Sequence, residues 1–331
     1  MATLETQHLD EVIVNSRRKM LALGGAALAG LAFAGVKLAE GQAAPAYTDA
    51  DILNFALNLE YLESQFYTLA TAGKTIDQVG IGIGAGTATT GGGTVVTKTG
   101  GPAACLVPWT LPAIQAYATE TAQEERNHVT FLRGALTSAA VAMPNLDLNT
   151  SFNTLASAAG IAATFDPFAN DLDFLVGAYI FEDVGVTAYS GAAPLITTPA
   201  YLAAAAGILG VEAYHAGLIR TSIFIADPDG KAGLQGYTQK ISATRMALDG
   251  STTTDDIGVG FQTTSTQPSG TTTALAATIV DAQTGSPNYS KTYSRSTTQV
   301  LKIVTGSTNI PAAGAKYMGV FFPNGLNGLF S

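Results

Sequence analysis

Gln123-Glu124-Glu125-Arg126-Asn127-His128 is the stretch that decides the fold prediction. It lies in a run of good helix formers, residues 111–136, and side chains three positions apart share one face of a helix. Glu125 and His128 are therefore expected to project from the same side. A Glu-x-x-His pair on a helix is the ligand pattern of carboxylate-bridged dimetal sites in helix bundles. One such pair is weak evidence, because a Glu-rich helix also contains it by chance.

A second segment repeats the pattern. Glu212 and His215 have the same spacing within an apolar run, residues 201–225. The chain contains 3 His, and the third, His8, lies in a leader that we expect to be removed. Both His of the mature chain thus follow a Glu by three positions, which favours a shared role as metal ligands over a chance occurrence.

The overall composition bounds the class of protein. With 331 residues, of which 47% are hydrophobic and 12% charged, the chain has enough apolar material for one large domain, alone or with an appendage. The net charge of −9 and the lack of a basic cluster outside the leader exclude nucleic acid as an expected partner, since phosphate binding needs basic patches. The single Cys105 excludes an intramolecular disulfide and says little about the compartment.

Residues 1–44 have the features of a twin-arginine-type signal peptide. Arg17 and Arg18 lie in a basic region, an apolar run follows at residues 21–36, and small residues follow that run. We therefore expect export in folded form to the periplasm, the cell envelope or the extracellular space, with no membrane attachment after signal cleavage. The alternative is an uncleaved membrane anchor, but the apolar run is short for a membrane-spanning helix and Gly weakens it further.

Helical periodicity predicts four long helices, which we place at residues 52–70, 111–136, 171–189 and 199–226. Thr48 and Asp51 favour the start of the first helix, because they can satisfy its free backbone N–H groups. The turn signal Asp227-Pro228-Asp229-Gly230 ends the fourth helix, and a fifth is expected at residues 231–248.

Long segments rich in Gly, Ser and Thr connect and follow these helices. Residues 71–110 are expected to form a surface loop with a short hairpin, and residues 138–170 a crossover along the bundle. The C-terminal extension, residues 227–331, is expected to mix short strands, coil and a short helix at residues 296–304, which begins with a capping box. Its aromatic, turn-rich segment at residues 321–328 is expected to pack on the bundle.

The four helices together supply the ligand set of a dimetal site. Two helices carry one Glu each and the other two carry Glu-x-x-His, which is the formula of dimetal carboxylate bundles. The predicted metal ligands are Glu60, Glu125, His128, Glu182, Glu212 and His215. Glu63 lies on the same face of the first helix as Glu60 and is the alternative to it. Carboxylate and imidazole ligands without thiolates suit Fe or Mn better than a structural Zn, so the expected cofactors are two Fe or Mn ions.

The sequence also resembles the ferritin-like superfamily. Residues 57–67 and 123–128 resemble the first two helices of ferritins. Asn-Leu-Glu-Tyr-Leu-Glu at residues 58–63 and Phe-Phe-Pro-Asn-Gly-Leu-Asn-Gly at residues 321–328 are similar to motifs of the ferritin-like desiccation-related family. The resemblance implies an all-α core, a ferritin-like four-helix bundle over residues 48–226, that holds the same six ligands.

The resemblance further implies separate roles within the site. Glu125 and Glu212 would be bridging carboxylates. Tyr67 and Tyr189 would be neighbours of the ligands rather than ligands themselves. Each of these tyrosines follows the single Glu ligand of its helix by seven positions, nearly two helical turns.

Two classes of function remain open from the sequence. The first is a redox enzyme whose two metals react with O2 or peroxide, as in ferroxidases and manganese catalases, in stress protection. The second is a non-catalytic envelope, desiccation or stress protein that uses the bundle as a scaffold, which the Ala-rich composition and the Ser/Thr/Gly-rich tail favour. A homo-oligomer is compatible with either class, whereas the large loops disfavour a ferritin-type storage shell.

Overall fold

The computed structural model describes residues 47–251, 255–260, 262–264, 273–275, 292–309, 311 and 315–329. The predicted signal peptide and most of the predicted strands and loops between residues 251 and 294 lie outside the described residues. The helices of the described part are α1 (Asp49–Ala72), α2 (Pro112–Leu136), α3 (Thr150–Ala158), α4 (Asp171–Ala192), α5 (Pro199–Ala226), α6 (Leu234–Asp249) and α7 (Thr297–Thr305). The all-α core predicted from helical periodicity is therefore confirmed.

α1, α2, α4 and α5 form the predicted four-helix bundle. α1 packs along α2, α4 packs along α5, and the two pairs meet through α1 against α4 and α2 against α5. α6 and α7 also pack against α4. As a result α1 and α4 are buried on most of their surface, whereas α2 and α5 each bury one face and expose the other.

Among the described helices, α5 has the length and hydropathy that would allow it to span a membrane. It nevertheless carries Glu212, His215 and Arg220 at buried positions. These polar side chains point into the bundle, where α5 packs along α4. In this structure α5 is a bundle helix.

Two predicted helix starts are confirmed. Thr48 caps α1, since its side chain accepts the backbone N–H of Asp51 while the Asp51 carboxylate accepts the backbone N–H of Thr48. Ser296 and Gln299 form the same reciprocal capping box at α7. In both cases a short polar side chain satisfies a backbone donor that the helix itself leaves unpaired.

The short hairpin predicted within residues 71–110 is wrong. The two-residue strand β1 (Val95–Val96) pairs in parallel with β2 (Leu146–Asp147), in the connection between α2 and α4. The Gly-rich residues that precede β1 are held instead by Arg133 of α2. Its guanidinium donates hydrogen bonds to the carbonyl oxygens of Gly84 and Gly86, at 2.7 and 2.9 Å. The loop is therefore folded onto α2, and β1 finds its partner far along the chain.

The connection over residues 138–170 contains α3, which the sequence prediction did not place. The Asp147 carboxylate accepts the backbone N–H groups of Asn149 and Thr150, both at 2.8 Å, and so stabilises the start of this helix. Phe152 and Ala156 are its buried apolar residues. A helix of 9 residues offers too few turns for a clear periodic signal. Beyond α6, β3 (Gln262–Thr264) and β4 (Thr273–Leu275) form a small antiparallel pair.

The aromatic segment near residues 321–328 packs on the bundle as predicted. Phe321 and Phe322 are buried in the core. Asn58 of α1 binds the backbone of Asn327 twice: its Nδ2 donates to the Asn327 carbonyl and its Oδ1 accepts the Asn327 N–H, both at 2.9 Å. The Asn327 side chain donates in turn to the carbonyl of Ala142 at 2.8 Å. The two motifs on which the family resemblance rests are thus parts of one contact.

A buried ion network joins α4, α5, α6 and the residues that follow α6. It consists of Asp183, Arg220, Arg245, Asp249, Asp256 and Arg295. Arg245 is at its centre, with Nη2 2.9 Å from Asp183 Oδ2 and 2.7 Å from Asp256 Oδ1. Burial opposes ionisation of Asp256, but Arg245 and Arg295 outweigh it and hold its pKa at about 2. Equal numbers of Arg and Asp leave the network without net charge.

We expect Arg245→Met to lower the free energy of unfolding by about 3–5 kcal/mol, because Asp183 and Asp256 would stay buried without a full set of partners. Urea unfolding followed by circular dichroism measures this change. Lys231→Met is the control, since Lys231 pairs with Asp229 at the surface and should change stability little. Equal effects of the two substitutions would contradict the role assigned to the network.

Candidate metal centre

The structure brings all six predicted ligands together at the centre of the bundle. α1 contributes Glu60, α4 contributes Glu182, and each outer helix contributes its Glu-x-x-His pair. The six side chains belong to residues that are between 0% and 7% exposed. Such burial of carboxylates in an apolar bundle is costly unless partners or metal ions compensate their charge.

The ligand atoms fall into two overlapping sets, within each of which they lie no more than 4.8 Å apart. The first set consists of Glu60, Glu125, His128 and Glu212, and the second of Glu125, Glu182, Glu212 and His215. Glu125 and Glu212 belong to both sets. A carboxylate placed between two ligand sets is positioned to bridge two ions, which agrees with the role that the family resemblance implies for these residues.

The two tyrosines flanking the site form a reciprocal pair of contacts. Tyr67 of α1 donates a hydrogen bond to Glu182 of α4, and Tyr189 of α4 donates one to Glu60 of α1. Each tyrosine therefore orients the ligand carried by the other inner helix. The spacing of seven residues between Glu and Tyr makes this possible in antiparallel helices, because both side chains of each helix then face the partner.

Burial dominates the electrostatics of the carboxylates. Desolvation raises the pKa of Glu60 to about 7, although His128 favours its charged form. Desolvation together with the surrounding carboxylates raises the pKa values of Glu63 and Glu212 well above their ordinary value. The pKa of Glu182 is also raised, again chiefly by burial. Without a cation at the centre, these groups resist ionisation.

The two imidazoles respond in the opposite direction. Burial alone would lower the pKa of His128, but Glu60 and Glu125 raise it to about 12. The pKa of His215 is raised in the same way by Glu182 and Glu125. Glu125 lies between the two rings, and despite its burial they hold the pKa of its carboxyl below the ordinary value. In the absence of a metal ion, the positive charge of the two protonated imidazoles therefore compensates the charge of the carboxylates.

Several buried atoms of the site make no hydrogen bond within the described part of the chain. They are both carboxylate oxygens of Glu125, both of Glu212, Oε2 of Glu182 and Nδ1 of His215. Buried polar atoms are rarely left unpaired, and these all belong to the two ligand sets. Oxygen and imidazole nitrogen are the donors that Fe and Mn accept, so the residues fit a pair of such ions.

Glu63, the alternative ligand on α1, belongs to neither set. Glu60 is the better placed of the two, with Oε2 3.2 Å from Nδ1 of His128. Glu63 lies instead near Glu212, on the side of Gly185. The geometry therefore favours Glu60 as the ligand from α1.

Gly185 of α4 is a contact residue that the sequence did not single out. A Cβ atom on Gly185 would lie 2.2 Å from Oε2 of Glu212, much closer than van der Waals contact permits. The absence of a side chain lets α4 approach Glu212 of α5. The reason for this glycine lies in another helix, so no local pattern in the sequence indicates it.

Glu124 is a second residue that the sequence analysis missed. Its Oε2 lies 2.7 Å from Nε2 of His215, whose Nδ1 faces Glu125 and Glu182. A carboxylate on the far nitrogen of a ligating imidazole orients the ring and increases its basicity. The equivalent position before the second Glu-x-x-His is Val211, which can form no such bond.

Comparison with known proteins identifies the family of this chain. The profile of the family described as "Ferritin-like domain" matches residues 48–224. The chain belongs to the ferritin-like domain family. The predicted resemblance is thereby confirmed, and the two overlapping ligand sets lie within the matched ferritin-like region.

Two named proteins are similar to this ferritin-like chain over much of its length. It is 31% identical over 212 residues to the desiccation-related protein PCC13-62 of Craterostigma plantagineum. That alignment covers 61% of this chain and 62% of the Craterostigma protein. It is 26% identical over 292 residues to the ferritin-like catalase Nec2 of Nesocodon mauritianus. That alignment covers 85% of this chain and 84% of the Nesocodon protein. No solved structure matches the chain.

We expect Glu124→Ala to weaken metal binding at the ligand set that contains His215 by about 10–100-fold, because His215 would lose the carboxylate that orients it. The ion bound through His128 should be little affected, since no carboxylate of the described residues lies on that ring's Nε2. Titration of the metal-free protein with Co(II), followed by visible absorption, resolves the two binding steps.

Glu120→Ala is the matched control for this titration. Glu120 lies one turn before Glu124 on α2 and binds the hydroxyl of Tyr214 at 3.0 Å instead of a predicted ligand. The control should retain both binding steps of the parent. If Glu124→Ala also retains them, Glu124 does not support His215.

Proposed function

We propose that this ferritin-like protein binds two Fe or Mn ions and uses them in redox chemistry with hydrogen peroxide or dioxygen, as part of stress protection. The observation that carries the proposal is the pair of overlapping ligand sets that share Glu125 and Glu212. Such sharing would hold two bound cations close together, as in other two-metal sites, and each ion could then contribute one electron to a two-electron reaction.

Charge balance supports two ions rather than one. The six ligands include four carboxylates, which offset the charge of two divalent cations. A bound Fe or Mn pair would supply two electrons, one from each ion, to reduce one peroxide to two waters, and would regain them by oxidising a second peroxide to dioxygen. The protein's own part is to hold the ligands: Tyr67 and Tyr189 orient two of the carboxylates, and the apolar bundle excludes bulk water.

The relatives support two aspects of the proposal. The name of the Nesocodon mauritianus protein describes a ferritin-like catalase, and its alignment spans most of both chains. The name of the Craterostigma plantagineum protein describes a role in desiccation. Redox protection under water loss or oxidative stress would unite both.

The second candidate function is that of a non-catalytic stress protein that uses the bundle as a scaffold. The similarity to a desiccation-related protein favours it. Metal analysis of the protein purified from its native compartment separates the two candidates. About two Fe or Mn ions per chain support the dimetal protein, whereas well under one ion supports the scaffold.

The position of the metal site is tested by Glu125→Ala and Glu63→Ala. Removing the shared carboxylate Glu125 should reduce metal content by more than one ion per chain and lower the melting temperature, since a metal that binds the folded state stabilises it. Glu63→Ala should retain the parent's metal, because Glu63 lies outside both ligand sets. The two variants are compared by elemental analysis and by thermal unfolding.

The opposite outcome would relocate the site. If Glu125→Ala keeps its metal and its melting temperature, the ions do not bind between the two ligand sets. If Glu63→Ala is the damaging substitution, Glu63 replaces Glu60 as the ligand from α1.

We also propose that the protein is exported by the twin-arginine route, on the basis of Arg17 and Arg18 and the apolar run that follows them. Replacement of both residues by Lys should leave the precursor in the cytoplasm, because the export receptor recognises the arginine pair. Fractionation followed by immunoblotting measures this. Unchanged export would show that residues 1–44 are a different kind of leader.

A further inference from the structure

An apolar cavity of about 60 Å³ lies beside the metal centre. It lies between the inner helices α1 and α4 and the layer formed by α3, α6, α7 and Phe321, and it is partly open toward the surface. The residues that line it include Leu62, Phe152, Ala156, Ile180, Ile241 and Ile303. Apart from Glu63, Thr244 and Arg245, every residue that lines it is apolar.

Two of the three polar lining residues turn their polar groups away from the cavity. The guanidinium of Arg245 is bound to Asp183 and Asp256 in the ion network. The hydroxyl of Thr244 donates to the carbonyl of Lys240 at 2.8 Å. Glu63 is therefore the polar group that the described wall presents to the cavity.

The inner end of the cavity adjoins the ligands. Gly185 lines the cavity, and the point where its Cβ atom would lie is 2.2 Å from Oε2 of Glu212 and 3.5 Å from Oε1 of Glu63. Glu212 belongs to both ligand sets. A molecule at this end would therefore be separated from the metal centre by one carboxylate.

Size and polarity decide what the cavity can hold. Water or hydrogen peroxide needs several hydrogen-bonding partners in a buried site, and this wall offers one carboxyl group. An apolar cavity of about 150 Å³ in another protein stays dry and takes up benzene or xenon, so a smaller one suits a smaller nonpolar molecule. The exposed approach to the centre is polar, since the Glu124 side chain that contacts His215 is 33% exposed.

We propose that this cavity binds dioxygen and connects it with the dimetal centre. The proposal rests on the proposed function and deepens it, because it assigns separate routes to the two oxidants. Dioxygen occupies the apolar cavity between α1 and α4, whereas peroxide approaches along the polar side at Glu124. Dioxygen can pass through the cavity toward the metal centre as a substrate, or away from it as a product, because the same apolar wall binds it in either case.

The test fills the cavity from α3, away from the ligands. Ala156 lines the cavity and is buried, whereas Ala158 on the same helix is exposed and does not line it. Ala156→Phe should therefore fill the space, and Ala158→Phe is the matched control. Ala156→Leu is a smaller filling variant, which keeps the test available if the Phe variant unfolds.

Binding is measured first, with xenon as the probe. Crystals of the full chain pressurised with xenon should show the gas in the cavity of the parent and of Ala158→Phe, and should lose it in the filled variant. Xenon found only elsewhere, or none in the parent, overturns the proposal. This measurement does not depend on metal content, so it can fail or succeed separately from the proposed function.

The connection with the metal centre is measured by kinetics. In protein loaded anaerobically with Fe(II), Ala156→Phe should slow oxidation by dioxygen about tenfold and leave oxidation by hydrogen peroxide at the parent rate. Ala158→Phe should keep both rates. Unchanged oxidation by dioxygen in a variant that excludes xenon, or equal slowing with both oxidants, would overturn the proposed route.

Discussion

The structure depends on the burial of five carboxyl groups and two imidazoles in one small volume of an apolar bundle. Burial, together with repulsion between the carboxylates, raises the pKa values of Glu60, Glu63, Glu182 and Glu212, so the site resists accumulating negative charge. Only Glu125, between the two rings, is held in its charged form. The surrounding helices therefore have to hold these side chains in place although their charges repel one another.

Two tyrosines and the near-symmetric packing of α1 and α2 against α4 and α5 hold these side chains in place. Glu60 and Tyr67 on α1 correspond to Glu182 and Tyr189 on α4, and each tyrosine binds the other helix's carboxylate. The outer helices correspond likewise through their Glu-x-x-His pairs. An arrangement of this kind follows naturally from a duplicated helix pair whose copies pack face to face.

The departures from this symmetry are as informative as the symmetry itself. The position on α4 that corresponds to Glu63 is Gly185, and the position on α5 that corresponds to Glu124 is Val211. Glu63 and Gly185 meet at the inner end of the apolar cavity, while Glu124 marks the exposed, polar side of the other half. The two ligand sets are therefore alike in donors and different in surroundings.

The sequence predicted what depends on local spacing. The helical period alone places Glu125 beside His128, and the bundle and its six candidate ligands follow from that period. Local spacing could not predict contacts between residues that are far apart in the sequence. Gly185 leaves space for the Glu212 carboxylate, and β1 pairs with β2 instead of folding into a hairpin. Glu124 was overlooked because its neighbour on the helix is the ligand, although its side chain reaches across to α5.

The contact between Asn58 and Asn327 also constrains when the chain can fold. The two residues are 269 positions apart, so this part of α1 stays without its partner until residue 327 has been synthesised. Closing so long a segment costs conformational entropy before any contact compensates it, and structures rich in such distant contacts fold slowly. The wall of the cavity is completed by the same segment, through Phe321. The bundle is therefore completed only after this segment has left the ribosome.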